Sequence, residues 1–332
     1  MQEIQLPSLG RLDGVGGTPL QEDHREDYEL RVRKVRDEKV ARACGFVADP
    51  IDAAPTLPAS NAPYAALHCL SGYAFGHSIL HAEAIPVLAR QAGCEAVAIA
   101  DPFSLVGALE FARSAKRVGI QPLIGSSFEL DVGGSIVLIA RSKRGYRALS
   151  QLITACHLEE PRGFPLLTRD RLRRHAADLI GLTGGDGGPV NRRLMGNHLQ
   201  EAETILKGLA EDLGSENVYV QIERSFLPWE PRTNRLLEHL AEKLRLPILA
   251  AAPCTHARRD QFPAQDVLLC AHTLCRVEEV LGRKDPRAPG QPEVARTPER
   301  FLNAERFLLS SAEFHQRYQD HPEWIAAGLD LA

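Results

Sequence analysis

The sequence predicts an α/β fold, a distorted (β/α) barrel of about seven strands, and three features carry that prediction. Seven short apolar runs have strand character, helical segments separate most of them, and one Gly-Gly turn marks a hairpin within the series. At 332 residues the chain is long enough for one such barrel with additional arms.

Taken in order, Ala65–Leu70 is the first strand and Ala82–Ala92 the first helix. Glu95–Ala100 (EAVAIA) reads as a buried parallel strand, and Leu105–Val118 has helical periodicity with Gly119 as its stop. Pro122–Leu130 is a strand, and the D-V-G-G that follows turns it into Ser135–Arg141 (SIVLIAR). Gly145–Ala155 is helical, Asp178–Thr183 (DLIGLT) a strand, Leu199–Asp212 a helix and Val218–Glu223 (VYVQIE) a strand. Thr233–Leu244 is a helix, Pro247–Ala252 (PILAAA) the last strand, and Gln265–His272 the start of a further helix. This alternation favours a barrel over an open sheet. No internal repeat is visible.

The flanks differ from this core. Residues 1–62 form an N-terminal extension in which the charged run Gln21–Ala43 is expected to be a solvent-exposed helix with weak i, i+4 pairing. The sequence around it, including the Pro- and Ala-rich DPIDAAPTLPASNAP, has too few apolar positions to order itself and is expected to be disordered. The barrel is assigned to residues 63–281. Residues 282–332 form a C-terminal segment that opens with KDPRAPGQPEVARTP and continues into FLNAERFLLSSAEF.

Composition narrows the function classes. Seven cysteines are scattered without a C-x-x-C pair, which reads as reduced thiols in a reducing compartment, mostly small buried hydrophobes. No run approaches the ~20 apolar residues of a membrane span, and MQEIQLPSLGRLDG lacks the basic start and apolar stretch of a secretory signal. A cytoplasmic location without a membrane partner is therefore expected. Net charge is −4, with Lys and Arg interleaved among Asp and Glu, so tight autonomous nucleic-acid binding is not expected.

Several stretches in order resemble the PHP domain of bacterial C-family DNA polymerase III alpha subunits, nearest to the error-prone branch used in damage-induced mutagenesis. They are YAALHCLSGYAF (Tyr64–Phe75), Ala96–Leu130, RGYRALSQLIT (Arg144–Thr154), PLLTRDRL (Pro165–Leu172), QDVLLCAHT (Gln265–Thr273) and NAERFLLSSAEF (Asn303–Phe314). The resemblance covers roughly residues 64–332. It implies a PHP-type barrel followed, in the family, by polymerase modules that this sequence lacks.

Active PHP domains gather His, Asp, Glu and Cys at the carboxyl ends of barrel strands. There they hold metal ions that activate water for phosphoester hydrolysis, because imidazoles and carboxylates can supply several ligands per ion and lower the pKa of bound water. Carried onto this sequence residue by residue, the pattern is largely lost. The first strand should carry H-x-H and has His68-Cys69-Leu70. The second should end in Asp-His and has Asp101-Pro102. The third should present a carboxylate where Ser127 stands, with Glu129 on the opposite face. DLIGLT should lead to Cys or His, and Gly184-Gly185-Asp186 follows. The last strand should end in D-x-H, and neither Pro253-Cys254-Thr255 nor Cys254-Thr255-His256 keeps the Asp.

His68, Asp101 and His256 are thus vestigial ligand positions, with Asp186 a further remnant, and no metal or other cofactor is expected. Any that binds would be Mn or Zn. The plainer roles are a strand histidine bonded to a neighbour for His68, and an N-cap for a helix beginning near Ser104 for Asp101. His77 and His81 have i, i+4 spacing but no acidic partner and read as loop histidines. Gly184–Gly188 lacks the Lys-Ser/Thr of a P-loop and reads as a plain turn. Cys270 and Cys275 read as structural. Gln5, Leu6 and Leu9 resemble the peptides that dock bacterial proteins onto the sliding clamp.

The expected function is a degenerate PHP domain acting as a structural or protein-interaction module in DNA replication or error-prone repair. Its partners would be polymerase or replisome and mutasome proteins, with the sliding clamp a further one. The alternative is a residual metal-dependent phosphoesterase or 3'-5' exonuclease.

Overall fold

The structure, a computed structural model, describes residues 62–273 and 303–332. The charged run Gln21–Ala43, the candidate docking residues Gln5, Leu6 and Leu9, and Cys44 and Cys275 lie outside the described residues.

Seven strands form one sheet in sequence order: β1 (Tyr64–Cys69), β2 (Cys94–Ile99), β3 (Gln121–Glu129), β4 (Ser135–Ala140), β5 (Leu179–Leu182), β6 (Val218–Ile222) and β7 (Ile248–Ala250). Neighbours are parallel except at β4, which is antiparallel to both β3 and β5. The reversal is the hairpin signalled by D-V-G-G. Gly133 and Gly134 take φ of 79° and 91°, a region that favours glycine. The curled sheet closes at its carboxyl ends, where Cys254 N–H donates to His68 O at 2.8 Å and Leu70 N–H to Cys254 O at 2.9 Å.

Strand alternation sorts the side chains into two cores. Ala65, Leu67, Ala96, Ala98, Ala100, Leu123, Val137, Ile139, Ile180, Leu182, Leu249 and Ala251 fill the inside of the curl. The intervening residues, such as Ile136 and Leu138, pack outward against helices α1 (Ile85–Ala92), α2 (Ala108–Val118), α3 (Lys143–Leu158), α4 (Arg169–His175), α5 (Pro189–Met195), α6 (Leu199–Leu213) and α7 (Glu230–Leu244). Phe111, Leu149, Leu152, Leu206 and Leu237 are fully buried in that outer layer, each worth roughly 1.5–3 kcal/mol of transfer free energy.

Among the described residues, three further helices follow: α8 (Phe262–Thr273), α9 (Ser311–Arg317) and α10 (Pro322–Leu331). Residues 303–332 pack back onto the barrel. Thr255 N–H donates to Arg306 O at 2.9 Å and Leu308 N–H to His256 O at 3.1 Å. The Tyr64 hydroxyl donates to Leu309 O, and the Tyr64 ring stacks on Phe314. Tyr318 donates to Ile222 O at 3.2 Å. Helix α10 lies against both β1 and β7, and its Leu329 and Leu331 join the inner core. Its Gly328 sits where an added Cβ would just touch Leu67 at 3.5 Å.

Element boundaries differ from the sequence reading where local chemistry intervenes. Helix α1 starts at Ile85 rather than Ala82, with Pro86 in its first turn fixing φ. Helix α2 starts at Ala108 rather than Leu105, because turn residues including Phe103 at φ 47° precede Gly107. Gly119 ends it in the left-handed region, as its stop signal predicts. Helices α4, α5, α9 and α10 were not anticipated. Helix α4 is set by Thr168, whose side chain accepts from Arg171 N–H, and α9 by the reciprocal capping pair Ser310 and Glu313.

Candidate functional site

The carboxyl ends of β1, β2, β3, β5 and β7 carry the residues that the resemblance singles out. His68 is buried, and its Nδ1 lies 3.3 Å from the Gln221 amide nitrogen. Burial lowers its pKa to about 4, against the opposing pull of Glu223, so the ring is neutral and accepts from that amide. Asp101 is not the N-cap expected for a helix near Ser104. That helix begins at Ala108, and the Asp101 carboxylate instead accepts from Ser71 N–H and Ser71 Oγ, both at 2.6 Å. Burial pushes the Asp101 carboxyl up and the Ser71 hydrogen bonds oppose it. His256 is fully buried, with Nδ1 3.0 Å from Thr255 Oγ1 and Nε2 3.2 Å from Ala304 O, so both ring nitrogens are engaged.

The positions between these remnants are packed. Leu70 and Pro253 are buried, and Pro102 bridges Ser127 across β2 and β3. His77 and His81 lie outside any helix. Cys270 is buried in α8.

Among the described residues, one group of three potential ligands comes together, and it contains none of His68, Asp101 and His256. Asp186, Glu223 and Glu230 place carboxylate oxygens within 4.8 Å of one another, all buried. Asp186 is delivered by the Gly184–Gly188 run, which forms a packed 3₁₀ turn rather than a plain surface turn. Gly184 at φ 87° leaves no room for a side chain, since a Cβ would meet Ser135 O at 1.8 Å. A Cβ on Gly185 would lie 2.6 Å from Glu223 Oε2 and 3.1 Å from Gln221 Nε2. Glu223 follows β6 in the inward register of Tyr219 and Gln221. Glu230 opens α7.

The partners of these carboxylates define what the cluster can do. Both Glu230 oxygens accept from Ser225 N–H, at 2.8 and 2.9 Å, and one also accepts from Leu227 N–H at 3.1 Å. Glu223 accepts from Ser225 Oγ at 2.8 Å, Asp186 N–H at 3.2 Å and Arg306 Nε at 3.1 Å. Asp186 Oδ2 accepts from Trp229 Nε1 at 3.2 Å, whereas its Oδ1 is buried with no hydrogen-bond partner. Burial, and then repulsion from Glu223, raises the Asp186 carboxyl to about 6, against Arg306, Trp229 and Asn191. Burial raises Glu230 to about 7, with Asp186 and Glu223 adding to it and the Ser225 and Leu227 backbone opposing.

By spacing, this cluster could hold a metal ion. Three carboxylates suit a hard divalent cation such as Mn²⁺ better than Zn²⁺, which favours nitrogen and sulfur donors in such sites. The residues fit a multi-metal hydrolytic centre poorly, because both ring nitrogens of His256 and the Nδ1 of His68 face protein partners. The cation in contact with the cluster is the Arg306 guanidinium. Sequence reasoning reached Asp186 as a remnant but missed Glu223 and Glu230. The inward alternation of β6 pointed to Glu223; nothing local marked Glu230.

Residues 66–225 match the PHP domain family and belong to it. The chain is 30% identical over 282 residues to an error-prone DNA polymerase of Symbiobacterium thermophilum, covering 80% of this chain and 24% of that protein. It is 29% identical over 328 residues to the error-prone DNA polymerase of Cutibacterium acnes, covering 94% and 26%. It is 28% identical over 278 residues to the DNA polymerase III subunit alpha of Caulobacter vibrioides, covering 80% and 23%. The chain thus spans about a quarter of the length of these curated relatives.

Proposed function

We propose that this PHP domain is non-hydrolytic and metal-free as it stands. It serves as a structural or protein-docking module for polymerase, replisome or mutasome proteins in cytoplasmic DNA replication or error-prone repair. The observation that supports this most is the state of the strand ends. Leu70, Pro102, Ser127 and Pro253 occupy ligand positions, and the surviving His68, Asp101 and His256 are committed to Gln221, Ser71, Thr255 and Ala304. Each metal in a hydrolytic centre needs several convergent donors and an open position for water. A net charge of −4 argues against tight nucleic-acid binding by this chain alone, and among the described residues no helix is long and apolar enough to cross a membrane.

The test is phosphodiester hydrolysis by wild type and Leu70→His after Mn, Zn and Fe have been offered and dialysed away. Neither protein is expected to turn over, since restoring one imidazole leaves the other donors missing. Turnover by Leu70→His, or wild-type turnover lost in His68→Ala, refutes the scaffold reading.

The acidic cluster favours a second reading, a residual metal-dependent phosphoesterase or 3'-5' exonuclease. It requires metal-dependent wild-type hydrolysis that disappears in Glu223→Gln.

A further inference from the structure

We propose that Cys69 and Cys254 are an oxidisable pair, which hydrogen peroxide converts into a disulfide across the seam between β1 and the chain that follows β7, locking the barrel closed.

The backbone brings the two residues face to face. They are partners in a parallel bridge, framed by Cys254 N–H to His68 O at 2.8 Å and Leu70 N–H to Cys254 O at 2.9 Å. Directly paired residues project to the same side of a sheet, and both cysteines belong to the outer core. Neighbouring strands lie about 4.8 Å apart, inside the roughly 4.4–6.8 Å Cα separation that a disulfide spans. The two thiols are hydrogen-bonded neighbours. That bond first, and then burial, raises the Cys69 thiol well above its ordinary value and keeps it protonated. Their other contacts are weak ones, Cys69 Sγ to Ala66 O at 3.9 Å and Cys254 Sγ to His256 O at 3.6 Å. Cys94 is paired with Tyr64 instead.

The seam also provides an entrance. A half-open cleft of about 20 Å³ lies along it, lined by residues that include Tyr64, Leu67, Ala251, Cys254, Phe307 and Phe314. A cleft needs roughly 10–15 Å³ to hold one water, so this one suits a small polar oxidant and is far too small for a bulky one. Cys254 borders the cleft, whereas Cys69 is fully buried behind it. Cys254 is therefore the thiol that meets peroxide, and Cys69 the one that resolves the product.

The Cys254 sulfur attacks one peroxide oxygen and the O–O bond breaks. The thiol proton leaves with the departing oxygen as water, and Cys254 becomes a sulfenic acid. The Cys69 sulfur then attacks the Cys254 sulfur and the S–O bond breaks. The Cys69 proton leaves with that oxygen as a second water. Two thiols have lost two electrons between them, and one peroxide has been reduced to two waters. A bond at this position encloses β2 to β7 in one covalent loop, which restricts the unfolded chain and stabilises the closed barrel. Reversible pairs of this kind are the form that disulfides usually take in a reducing compartment.

The experiment treats the reduced, full-length protein with hydrogen peroxide. Free thiols are counted, cross-linked peptides are mapped by mass spectrometry, and melting is followed by circular dichroism. Wild type should gain a Cys69–Cys254 cross-link, and its melting temperature should rise by at least about 5 °C. Dithiothreitol should reverse both. Cys44→Ser/Cys275→Ser should behave as wild type, and Cys254→Ser should gain neither change. Cys69→Ser should stop at a sulfenic acid on Cys254 that a cyclic 1,3-diketone traps. Peroxide-treated wild type that oxidises elsewhere and leaves Cys69 and Cys254 as thiols overturns the inference. A cross-link that leaves the melting temperature unchanged or lowers it also overturns it, because the folded seam would then not accommodate the bond. Both readings come from wild type, so they decide the matter even if a serine variant fails to fold.

Discussion

Replacing Glu230 by Gln should make the fold more stable in alkaline than in acidic solution, relative to wild type. Glu230 is 3% exposed and titrates near 7 against an ordinary 4.5, mainly through burial. Because the folded value lies above the unfolded one, ionisation opposes folding. The protonated group carries no penalty below about pH 4.5. Stability is then lost as pH rises from about 4.5 through about 7, and the loss is constant beyond.

Proton linkage between 4.5 and 7 gives a wild-type penalty of about 0.8 kcal/mol at pH 5 and about 3.3 kcal/mol at pH 8. Glutamine does not ionise, so the stability of Glu230→Gln relative to wild type should improve by about 2.5 kcal/mol from pH 5 to pH 8. Hydrogen bonds changed at Ser225 and Leu227 contribute equally at both pH values and drop out of this difference. Asp186, raised to about 6 in part by Glu223, titrates in both proteins, and relief of its repulsion from Glu230 acts in the same direction. Urea unfolding at the two pH values measures the quantity directly. A pH-independent difference between the two proteins would refute the argument, because it would mean that Glu230 folds without a raised pKa.

Two other perturbations test the frame around the cluster. Gly184→Ala places a Cβ 1.8 Å from Ser135 O at φ 87°, so the protein should lose several kcal/mol, more than about 3, or fail to fold, as read by urea unfolding. Ser71→Ala removes the hydroxyl bonded to Asp101 but keeps the backbone N–H. It should cost roughly 1–3 kcal/mol, and an unchanged urea midpoint would show that Asp101 finds another donor.

The seven strands were legible because each is a short apolar run, and Gly133-Gly134 marked the one reversal. Helices α4 and α9 were not, since R-D-R-L-R-R-H and S-A-E-F-H-Q-R are too short and polar to show periodicity. Their caps, Thr168 and Ser310, are common residues that signal a helix only once the following backbone is known. The ligand remnants His68, Asp101 and His256 were readable by type, but their hydrogen-bond partners come from distant strands and loops. The acidic cluster was hidden for the same reason. Asp186 and Glu223 are 37 residues apart, and Arg306 lies 83 residues beyond Glu223. Pairing of β5 with β6 joins the first two, and closure of the curl with the return of residues 303–309 adds Arg306.

That closure has a consequence for synthesis. Tyr64, at the start of β1, is held by Leu309 across 245 positions of sequence, and α10 covers the seam between β1 and β7. A chain emerging from the ribosome exposes its first strand long before that cover is made. Until residues 322–332 follow, the seam edge of β1 and the alanine-lined interior face water and neighbouring chains. Contacts of such long range form late, and an uncovered strand edge is a template for pairing with the wrong molecule. A product cut short before α10 should therefore precipitate rather than accumulate as a smaller domain.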